Sequence, residues 1–358
     1  MDVTIVGDIM NDLFTYSTEL PVVGETIMGD MFQSCLGGTG ANQAVAASKL
    51  GAKVSLIATV GADSFGCYCI ESLKKAGIYT SAIRQSKDGK TGMGMIMVNS
   101  RTGENQIVAV LGSNDEVAIS DVDHAVRSKE FSRKLLSCQF ESNAETSLYA
   151  LEKAHSEGIL TLLDPAPGPT PDSPFYHLLP RFLAAATVAS PNELEASALT
   201  GEAIPCFRMN ATSDEILEGT RGGLVALRKF GVKYPIITLA NNGAASILPP
   251  SEIQHPLPLD VYVAKNNLSQ DGVLIHSKAP FIKNAIDSTG AGDCFTGSLA
   301  FFMSKYPHLS MMEKIRRAVW IASQSVKRCG TQSSYPIKDE LPSSIFHEIE
   351  SFQWPNND

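Results

Sequence analysis

A glycine-rich run between residues 287 and 293 carries the side chains best suited to chemistry. Its sequence is Asp287-Ser-Thr-Gly-Ala-Gly-Asp293, and an amphipathic helical pattern follows it. Gly290 and Gly292 allow close approach to the free N–H groups and the positive dipole end of that helix, which together attract an anion. Asp293 places a carboxylate beside this anion site. The combination indicates phosphoryl transfer, with Asp293 as general base and the Gly290, Ala291 and Gly292 backbone as anion hole.

A second glycine-rich run lies far upstream, Gly37-Gly38-Thr39-Gly40-Ala41-Asn42-Gln43-Ala44, and it also opens a helical pattern. Taken alone, the first run favours function only modestly, because an aspartate that stabilises the dipole of its own helix is a competing explanation. The second run strengthens the functional interpretation through the order and separation of the pair.

Both runs, in this order, resemble the two signatures of the ribokinase-type (PfkB) sugar kinases. Three further segments share the resemblance: Val6-Gly-Asp-Ile-Met-Asn-Asp12, Asn192-Glu-Leu-Glu195 and Gly330-Thr-Gln-Ser-Ser-Tyr-Pro336. The likeness covers almost the whole chain, and the closing segment is most similar to animal ribokinases. The resemblance implies one α/β ribokinase-like domain over residues 1–358, with a central, mostly parallel sheet, helices on both faces and a small β-sheet lid.

The family resemblance also implies an activity. It is ATP-dependent phosphorylation of the terminal hydroxyl of D-ribose to give D-ribose 5-phosphate. The reaction would require Mg²⁺ and be activated by K⁺. The resemblance also implies a homodimer formed through the lid. Two alternatives stay open at this point. One is a kinase for another sugar or a nucleoside (deoxyribose, fructose or adenosine), and the other is a catalytically weak regulatory protein on the same scaffold.

The resemblance assigns site residues by position. The sugar-binding set is Met10, Asn11, Asp12, Gly38, Thr39, Gly40, Ala41, Asn42, Glu141 and Asp293. The ATP-binding set is Asn192, Thr238, Leu239, Ala240, Asn241, Asn242, Gly243, Gly292, Asp293 and Val319. The chain departs from the family at Thr39, where ribokinases usually have Lys, at Ala240, where they have Gly, and at Val319, which replaces a polar residue.

Two cation sites follow from the same resemblance. Glu195 is expected to hold Mg²⁺ through water, and the K⁺ set is Asp287, Thr289, Ser325, Arg328, Gly330 and Ser334. Residues 190–193 match a capping box with Pro191 as first helical residue, which would leave Glu195 free. The helix end is expected to keep Asp293 ionised at neutral pH.

Apolar strand patterns alternate with helical patterns along most of the chain, which predicts a largely parallel sheet with ligands bound at its carboxyl ends. Predicted strands are 3–9, 54–59, 135–140, 161–163, 187–189, 236–239, 245–248 and 279–286, and predicted helices are 41–50, 64–76, 144–157 and 193–200. Residues 91–98 and 105–111 predict a hairpin with Gly103 at its tight position. Together with residues 13–34, this hairpin would form the lid, which therefore consists of segments 13–34 and 91–111. Residues 249–278 are predicted to be a solvated insertion.

Composition restricts the partners and the compartment. The net charge of −9 argues against nucleic acid or an anionic membrane as a partner, and no apolar run approaches the roughly 20 residues needed to span a bilayer. The seven scattered cysteines are typical of free thiols in a reducing cytosol. With a first strand that begins at once, they predict a cytoplasmic protein, with the nucleus as a further location.

Overall fold

A computed structural model of the chain describes residues 1–102, 104–209, 211–264 and 272–348, which form an α/β fold. The strands are β1 (Val3–Val6), β2 (Met10–Ser17), β3 (Met31–Gly37), β4 (Val54–Gly61), β5 (Ile83–Ser86), β6 (Gly92–Asn99), β7 (Asn105–Val110), β8 (Leu135–Cys138), β9 (Leu160–Leu163), β10 (Val188–Ala189), β11 (Tyr234–Thr238), β12 (Ala244–Leu248), β13 (Val261–Val263) and β14 (Val273–Ser277). The α-helices are α1 (Thr39–Lys49), α2 (Ser64–Lys75), α3 (Ile119–Arg127), α4 (Ala144–Ser156), α5 (Leu179–Ala185), α6 (Glu193–Thr200), α7 (Ser213–Lys229), α8 (Ala291–Lys305) and α9 (Met311–Ser325).

The larger sheet has the strand order β13-β14-β12-β11-β10-β9-β8-β1-β4-β5. Every pairing from β11 to β5 is parallel, and β12, β14 and β13 add an antiparallel edge. Strands β1 and β4 are buried at every residue, as the central strands of a parallel sheet must be when helices cover both faces. One apolar cluster contains residues of α1, α8 and α9, and another contains residues of α3, α4 and α5. The sheet class inferred from the alternating pattern is confirmed.

A separate four-stranded sheet has the order β3-β2-β6-β7. Strand β2 leaves the end of β1 directly, so this small sheet grows out of the carboxyl edge of the larger one. The predicted small sheet is therefore present, built from both predicted segments. Gly103, assigned to the tight position of its hairpin, lies outside the described residues.

Two predictions near the C-terminal half are wrong. Residues 249–278 are not simply a solvated insertion, because their described part contains β13 and β14, and Leu274, Ile275 and His276 are buried in the sheet. Residues 265–271 of that segment lie outside the described residues. Residues 279–286 form no strand, and Phe281 is 76% exposed.

Helices α1 and α8 approach closely, and Gly297 permits it. A Cβ atom at Gly297 would lie 2.6 Å from both Cβ of Ala46 and the carbonyl oxygen of Gln43, closer than packed atoms allow. This contact holds the first turns of the two glycine-run helices side by side. No helix within the described residues combines the length and the apolar character needed to cross a membrane.

Candidate active site

The candidate site lies where the carboxyl ends of β1, β8, β9 and β10 meet the first turns of α1 and α8. Four acidic residues follow these strands, Asp8 after β1, Glu141 after β8, Asp164 after β9 and Glu195 after β10. This edge is the usual ligand-binding edge of a parallel sheet. The sequence pattern located the edge but singled out neither Asp8, which lies inside the predicted strand 3–9, nor Asp164, which directly follows the predicted strand 161–163.

Asp293, in the first turn of α8, is held by two amide side chains of α1. Nδ2 of Asn42 donates to Oδ2 of Asp293 at 2.8 Å, and Nε2 of Gln43 lies 3.5 Å from Oδ1. Nε2 of Gln43 also donates to Oδ2 of Asp164 at 2.8 Å. These donors fix the plane of the Asp293 carboxyl group. Gln43 and Asp164 were missed from sequence because their partners lie on other elements.

The ionisation of Asp293 is set mainly by burial. Asp293 keeps some exposed surface, yet enough protein surrounds its carboxyl group that burial raises the pKa to about 7. The charges of Glu141 and Glu195 raise the pKa further, and the hydrogen bonds from Asn42 and Gln43 lower it. With a pKa of about 7, Asp293 is only partly ionised at neutral pH in the free protein, so the expectation that the helix end keeps it ionised there is met only in part. A pKa near 7 suits a general base.

The surrounding carboxyl groups share this property. Burial raises the pKa of Asp8 and of Asp164 well above their ordinary value, and it also raises the pKa of Glu141 and of Glu195. Asp8 and Asp164 are buried, whereas Glu141, Glu195 and Asp293 retain exposed surface toward the site. A bound cation would stabilise the charged forms of these groups, so the donor chemistry fits a hard cation held near them.

The predicted sugar-binding set contains residues that face the site and residues that are buried or hydrogen-bonded within the protein. Burial, with Glu141 next in importance, raises the pKa of Asp12 on β2 to about 6, so these two carboxyl groups lie near each other. The Thr39 side chain lies close enough to Glu141 to oppose the rise that burial causes in the pKa of Glu141. Met10 and Asn11 are buried, and Oδ1 of Asn11 accepts from the Ser34 hydroxyl at 3.1 Å. Asp12, Thr39 and Glu141 are thus the side chains most open to a ligand.

The backbone of the upstream glycine run is tied to Asp8. The amide of Gly40 donates to Oδ1 of Asp8 at 2.8 Å, and the amide of Ala41 donates to the Asp8 carbonyl at 3.0 Å. Gly38 is the residue before α1, with φ +94°. The amides of Gly40 and Ala41 therefore anchor the start of α1, which leaves side chains rather than these two amides to contact a sugar.

The nucleotide-side set is centred on the end of β11. The Thr238 amide donates to the Pro191 carbonyl at 2.9 Å, which places Thr238 beside Asn192. Ala240, Asn241 and Asn242 form a short 3₁₀ turn after Leu239, closed by Gly243. Nε2 of His276 on β14 donates to the Asn242 carbonyl at 2.6 Å and braces this turn. Val319 lies in α9 and is only 5% exposed, so it packs in the core.

Ala240 has a left-handed backbone, with φ +46°. This conformation costs a non-glycine residue about 1–2 kcal/mol. We expect Ala240→Gly to raise the free energy of unfolding by about 0.5–1 kcal/mol, since glycine removes the strain but adds chain entropy to the unfolded state. Urea unfolding measures this. The control Ala76→Gly, at a residue with φ −77°, should lower stability, and a fall in both variants would contradict the strain at Ala240.

The cap of α6 differs from the prediction. Asn192, not Ser190, is the capping residue, its Oδ1 accepts from the Glu195 amide at 2.9 Å, and Oε2 of Glu195 accepts from the Asn192 amide at 2.8 Å. Glu195 is therefore part of the capping box, whereas the sequence predicted that the cap would leave it free. Only Oε2 is used in the cap, which leaves Oε1 for a ligand.

Asp287 joins the two loops of the predicted K⁺ set. Its Oδ1 accepts from the amide and hydroxyl of Thr289 at 2.9 and 2.6 Å, and its Oδ2 accepts from the Gly330 amide at 2.8 Å. Ser334 caps its own turn through the Thr331 carbonyl. The remaining members, Ser325 and Arg328, lie in the same stretch, where the Arg328 amide donates to the Ser325 carbonyl at 3.3 Å. The structure thus brings the two halves of the set together around Asp287.

Comparisons with known proteins agree with this geometry. A model of the pfkB family carbohydrate kinases matches residues 1–338. The chain is 36% identical to ribokinase of Mus musculus over 96% of this chain and 94% of the relative, and 32% identical to deoxyribokinase of Salmonella typhi over 94% and 96%. It resembles the solved structure of Arabidopsis thaliana ribokinase complexed with ribose and ATP, with a TM-score of 0.74 and 25% identity over 94% of this chain and 96% of that chain. The chain belongs to the pfkB family of carbohydrate kinases.

Proposed function

We propose that the protein is an ATP-dependent kinase that phosphorylates the terminal hydroxyl of D-ribose to give D-ribose 5-phosphate. The observation that carries the proposal is Asp293, a carboxyl group with a pKa of about 7 at the N-terminus of α8, held by Asn42 and Gln43. A base and an anion-binding helix end in one turn meet the needs of phosphoryl transfer to an alcohol. The mouse ribokinase relative supports ribose as the acceptor.

In this mechanism the sugar lies against Asp12, Asn42 and Glu141, with its terminal hydroxyl directed to Asp293. Asp293 accepts the hydroxyl proton as the oxygen attacks the γ-phosphorus of ATP, and the bond from that phosphorus to the bridging oxygen breaks, so that ADP leaves. The Ala291 amide donates to the Ser288 carbonyl at 3.1 Å, which leaves the amides of Gly292 and Asp293 at the start of α8 to stabilise the charge on the transferring group. Thr39, which stands where the family has Lys, lies beside Glu141 and would favour its charged form.

The first test is ADP release with Mg·ATP over a panel of pentoses, hexoses and nucleosides, with K⁺ or Na⁺ as the added monovalent cation. We expect the highest kcat/KM for D-ribose and faster turnover in K⁺. A higher value for deoxyribose, the substrate in the name of the Salmonella relative, would keep the kinase and replace the acceptor. Binding of ATP and sugar without turnover would favour the regulatory scaffold.

Mg²⁺ would be held by Glu195 through water and would neutralise charge on the ATP phosphates. No group of three or more acidic, cysteine or histidine side chains in the described part of the chain is arranged to hold a metal ion. The raised pKa of Glu195 supports the assignment, because a nearby cation strongly stabilises the charged form of a buried carboxyl group that has acidic neighbours.

We expect Glu195→Gln to raise the Mg²⁺ concentration for half-maximal rate about tenfold while leaving stability unchanged. Glutamine keeps the oxygen that accepts from the Asn192 amide, so the cap survives while the charge is lost. The measurement is initial rate against free Mg²⁺. The matched control is Glu193→Gln in the same helical turn, and an equal shift in both variants would argue against Glu195 as the metal ligand.

K⁺ is proposed to bind between the two loops joined by Asp287. Burial acts to raise the pKa of Asp287, but hydrogen bonds from Thr289 and Gly330 outweigh it and hold the pKa below its ordinary value. A charged carboxylate that braces both loops is a suitable neighbour for a monovalent cation. The ion would support the shape of the anion hole, since the Asp287 loop leads directly into α8.

The small sheet is proposed as a lid over the sugar and as the homodimer contact, with residues 1–358 forming one domain. Every residue of β7 is exposed, including Ile107, Val108 and Val110, and Phe32 on β3 is 64% exposed. An apolar edge strand of this kind is normally covered. We expect Ile107→Glu to convert a dimer to a monomer in light scattering, and Leu259→Glu, far from the lid in the chain and 94% exposed, to leave it dimeric.

A cytoplasmic location, with the nucleus as a further one, is also proposed. All seven cysteines are free, and none of them is paired. Free thiols suit a reducing compartment.

A further inference from the structure

One side chain of the C-terminal segment reaches the candidate base through Asn42. Nε2 of Gln332 donates to Oδ1 of Asn42 at 2.9 Å, and Nδ2 of Asn42 donates to Oδ2 of Asp293 at 2.8 Å. Gln332 therefore stands two hydrogen bonds from the carboxyl group, on the opposite side of Asn42. Gln332 belongs to none of the residue sets assigned to sugar, nucleotide or cations.

The direction of this chain follows from donor and acceptor chemistry. Asp293 can act as a base only when it is ionised, and an ionised carboxylate only accepts hydrogen bonds, so Asn42 must then turn its NH₂ group toward Asp293. Its carbonyl oxygen then faces Gln332, which must present its own NH₂ group. Without Gln332, the side-chain amide of Asn42 loses the donor that fixes its orientation. Asn42 can then adopt rotamers in which its NH₂ group no longer donates to Asp293.

Gln332 is held in place from α1 as well. Nζ of Lys49, in the last turn of α1, donates to the Gln332 carbonyl at 2.7 Å and to the Tyr335 carbonyl at 2.9 Å. Asn42 and Lys49 thus fasten both ends of α1 to one short segment. The amide of Gly330 in this segment is the one that binds Asp287. The base and the cation loops are therefore joined through the residues around Gln332.

We propose that Gln332 is a positioning residue that fixes the amide direction of Asn42 and thereby orients Asp293 for proton transfer. The inference rests on the proposed function, because it assigns Gln332 a part in the work of Asp293. It also gives the K⁺ loops a direct route to the base, through Gly330, Gln332 and Asn42.

The other ionisable groups around Asp293 come from several elements. They are Asp8, Glu141, Asp164, Glu195, the neighbouring Cys294 and Tyr335. A change at Gln332 alters none of them directly. The hydrogen bond from Asn42 lowers the pKa of Asp293, so weakening that bond must raise the pKa.

The test compares Gln332→Ala, Gln332→Glu and the control Ser333→Ala, whose exposed side chain lies in the same segment and donates only to the Cys329 carbonyl. The first measurement is kcat/KM for the sugar from pH 5.5 to 9. We expect the acid limb to move up by about half a pH unit in Gln332→Ala and about one unit in Gln332→Glu, whose carboxylate draws the Asn42 NH₂ group away. Ser333→Ala should keep the wild-type profile.

Superimposable pH profiles for all four proteins would overturn the inference, as would an equal shift in Ser333→Ala. Titration of ¹³C-labelled aspartate carboxyl groups by NMR, with Asp293→Asn to assign the signal, supplies a second readout without substrate. We expect the pKa of Asp293 to rise in the same order, and an unchanged value in both Gln332 variants would also overturn it. Absence of sugar-dependent ADP release in the wild type would instead contradict the proposed function, and the NMR titration would still decide the link from Gln332 to Asp293.

Discussion

Asp293→Asn is expected to release ADP about 10²–10⁴-fold more slowly than the wild type, with Mg·ATP and the sugar still bound. The amide keeps the size of the carboxyl group but cannot accept the hydroxyl proton. Steady-state ADP release and calorimetric binding of each substrate measure the two halves of this result. A rate within tenfold of wild type would remove Asp293 from the role of base.

The same substitution is expected to stabilise the protein at neutral and alkaline pH. The folded state raises the pKa of Asp293 from 3.8 to about 7, so the folded protein binds a proton that the unfolded chain has released. Wild-type stability from this group is therefore highest below about pH 4 and is lost as the pH rises through 7. Asp293→Asn removes that loss, so its advantage in urea unfolding should grow from pH 5 to pH 8.

Asp287→Asn is the matched control for this pH effect. In the wild type, the folded state lowers the pKa of the Asp287 carboxylate. Asp287 therefore stabilises the fold at pH values above its ordinary pKa, and this contribution is lost as the pH falls. The Asp287→Asn variant should therefore lose stability relative to wild type as the pH rises from 3 to 6, opposite in sign to Asp293→Asn. The same sign in both variants would show that the pH dependence comes from net charge rather than from these environments.

The local part of the site was predictable from the sequence. Asp293 and Asn42 each stand at a helix start marked by glycines, and such signals depend on a few adjacent residues. The surroundings of Asp293 were not predictable, because Gln43 contacts it, and Gln332 reaches it through Asn42, only after α1, α8 and the C-terminal segment have packed. The pKa of Asp293 also escaped prediction, since the helix dipole is a local property and burial is a property of the whole fold.

The fold shows the same division between local and distant causes. The mostly apolar, fully buried strands β1 and β4 were found from their own residues. Strand β14 was missed because His276 and Ser277 are polar, and the burial of His276 is allowed by its partners Ser213 and Asn242 on distant elements. Residues 279–286 are largely apolar but contain Pro280, which has no N–H for a sheet ladder, and the chain there turns toward α8.

Gly292→Ala is expected to fold at least as stably as the wild type and yet lose about 10²-fold in kcat/KM. A Cβ atom at Gly292 would meet no protein atom within 4 Å, and alanine is favoured over glycine by roughly 0.5–1 kcal/mol within a helix. That open space is where the anion must approach the amides of α8, so the methyl group would obstruct the ligand alone. Urea unfolding and ADP release on the same preparation measure both effects.

Gly290→Ala, two residues earlier, separates a blocked anion site from a damaged one. Gly290 has φ +73°, and a Cβ atom there would lie 2.6 Å from the Tyr335 hydroxyl and 3.1 Å from the Thr331 side chain. This variant should lose both stability and activity, because its backbone is strained and the C-terminal segment must move. If Gly292→Ala also lost stability, or kept wild-type kcat/KM, the N-terminus of α8 would not be the open anion hole that the mechanism requires. If Gly292→Ala loses activity but keeps its stability, and Gly290→Ala loses both, the transferring phosphoryl group lies on the exposed side of this turn.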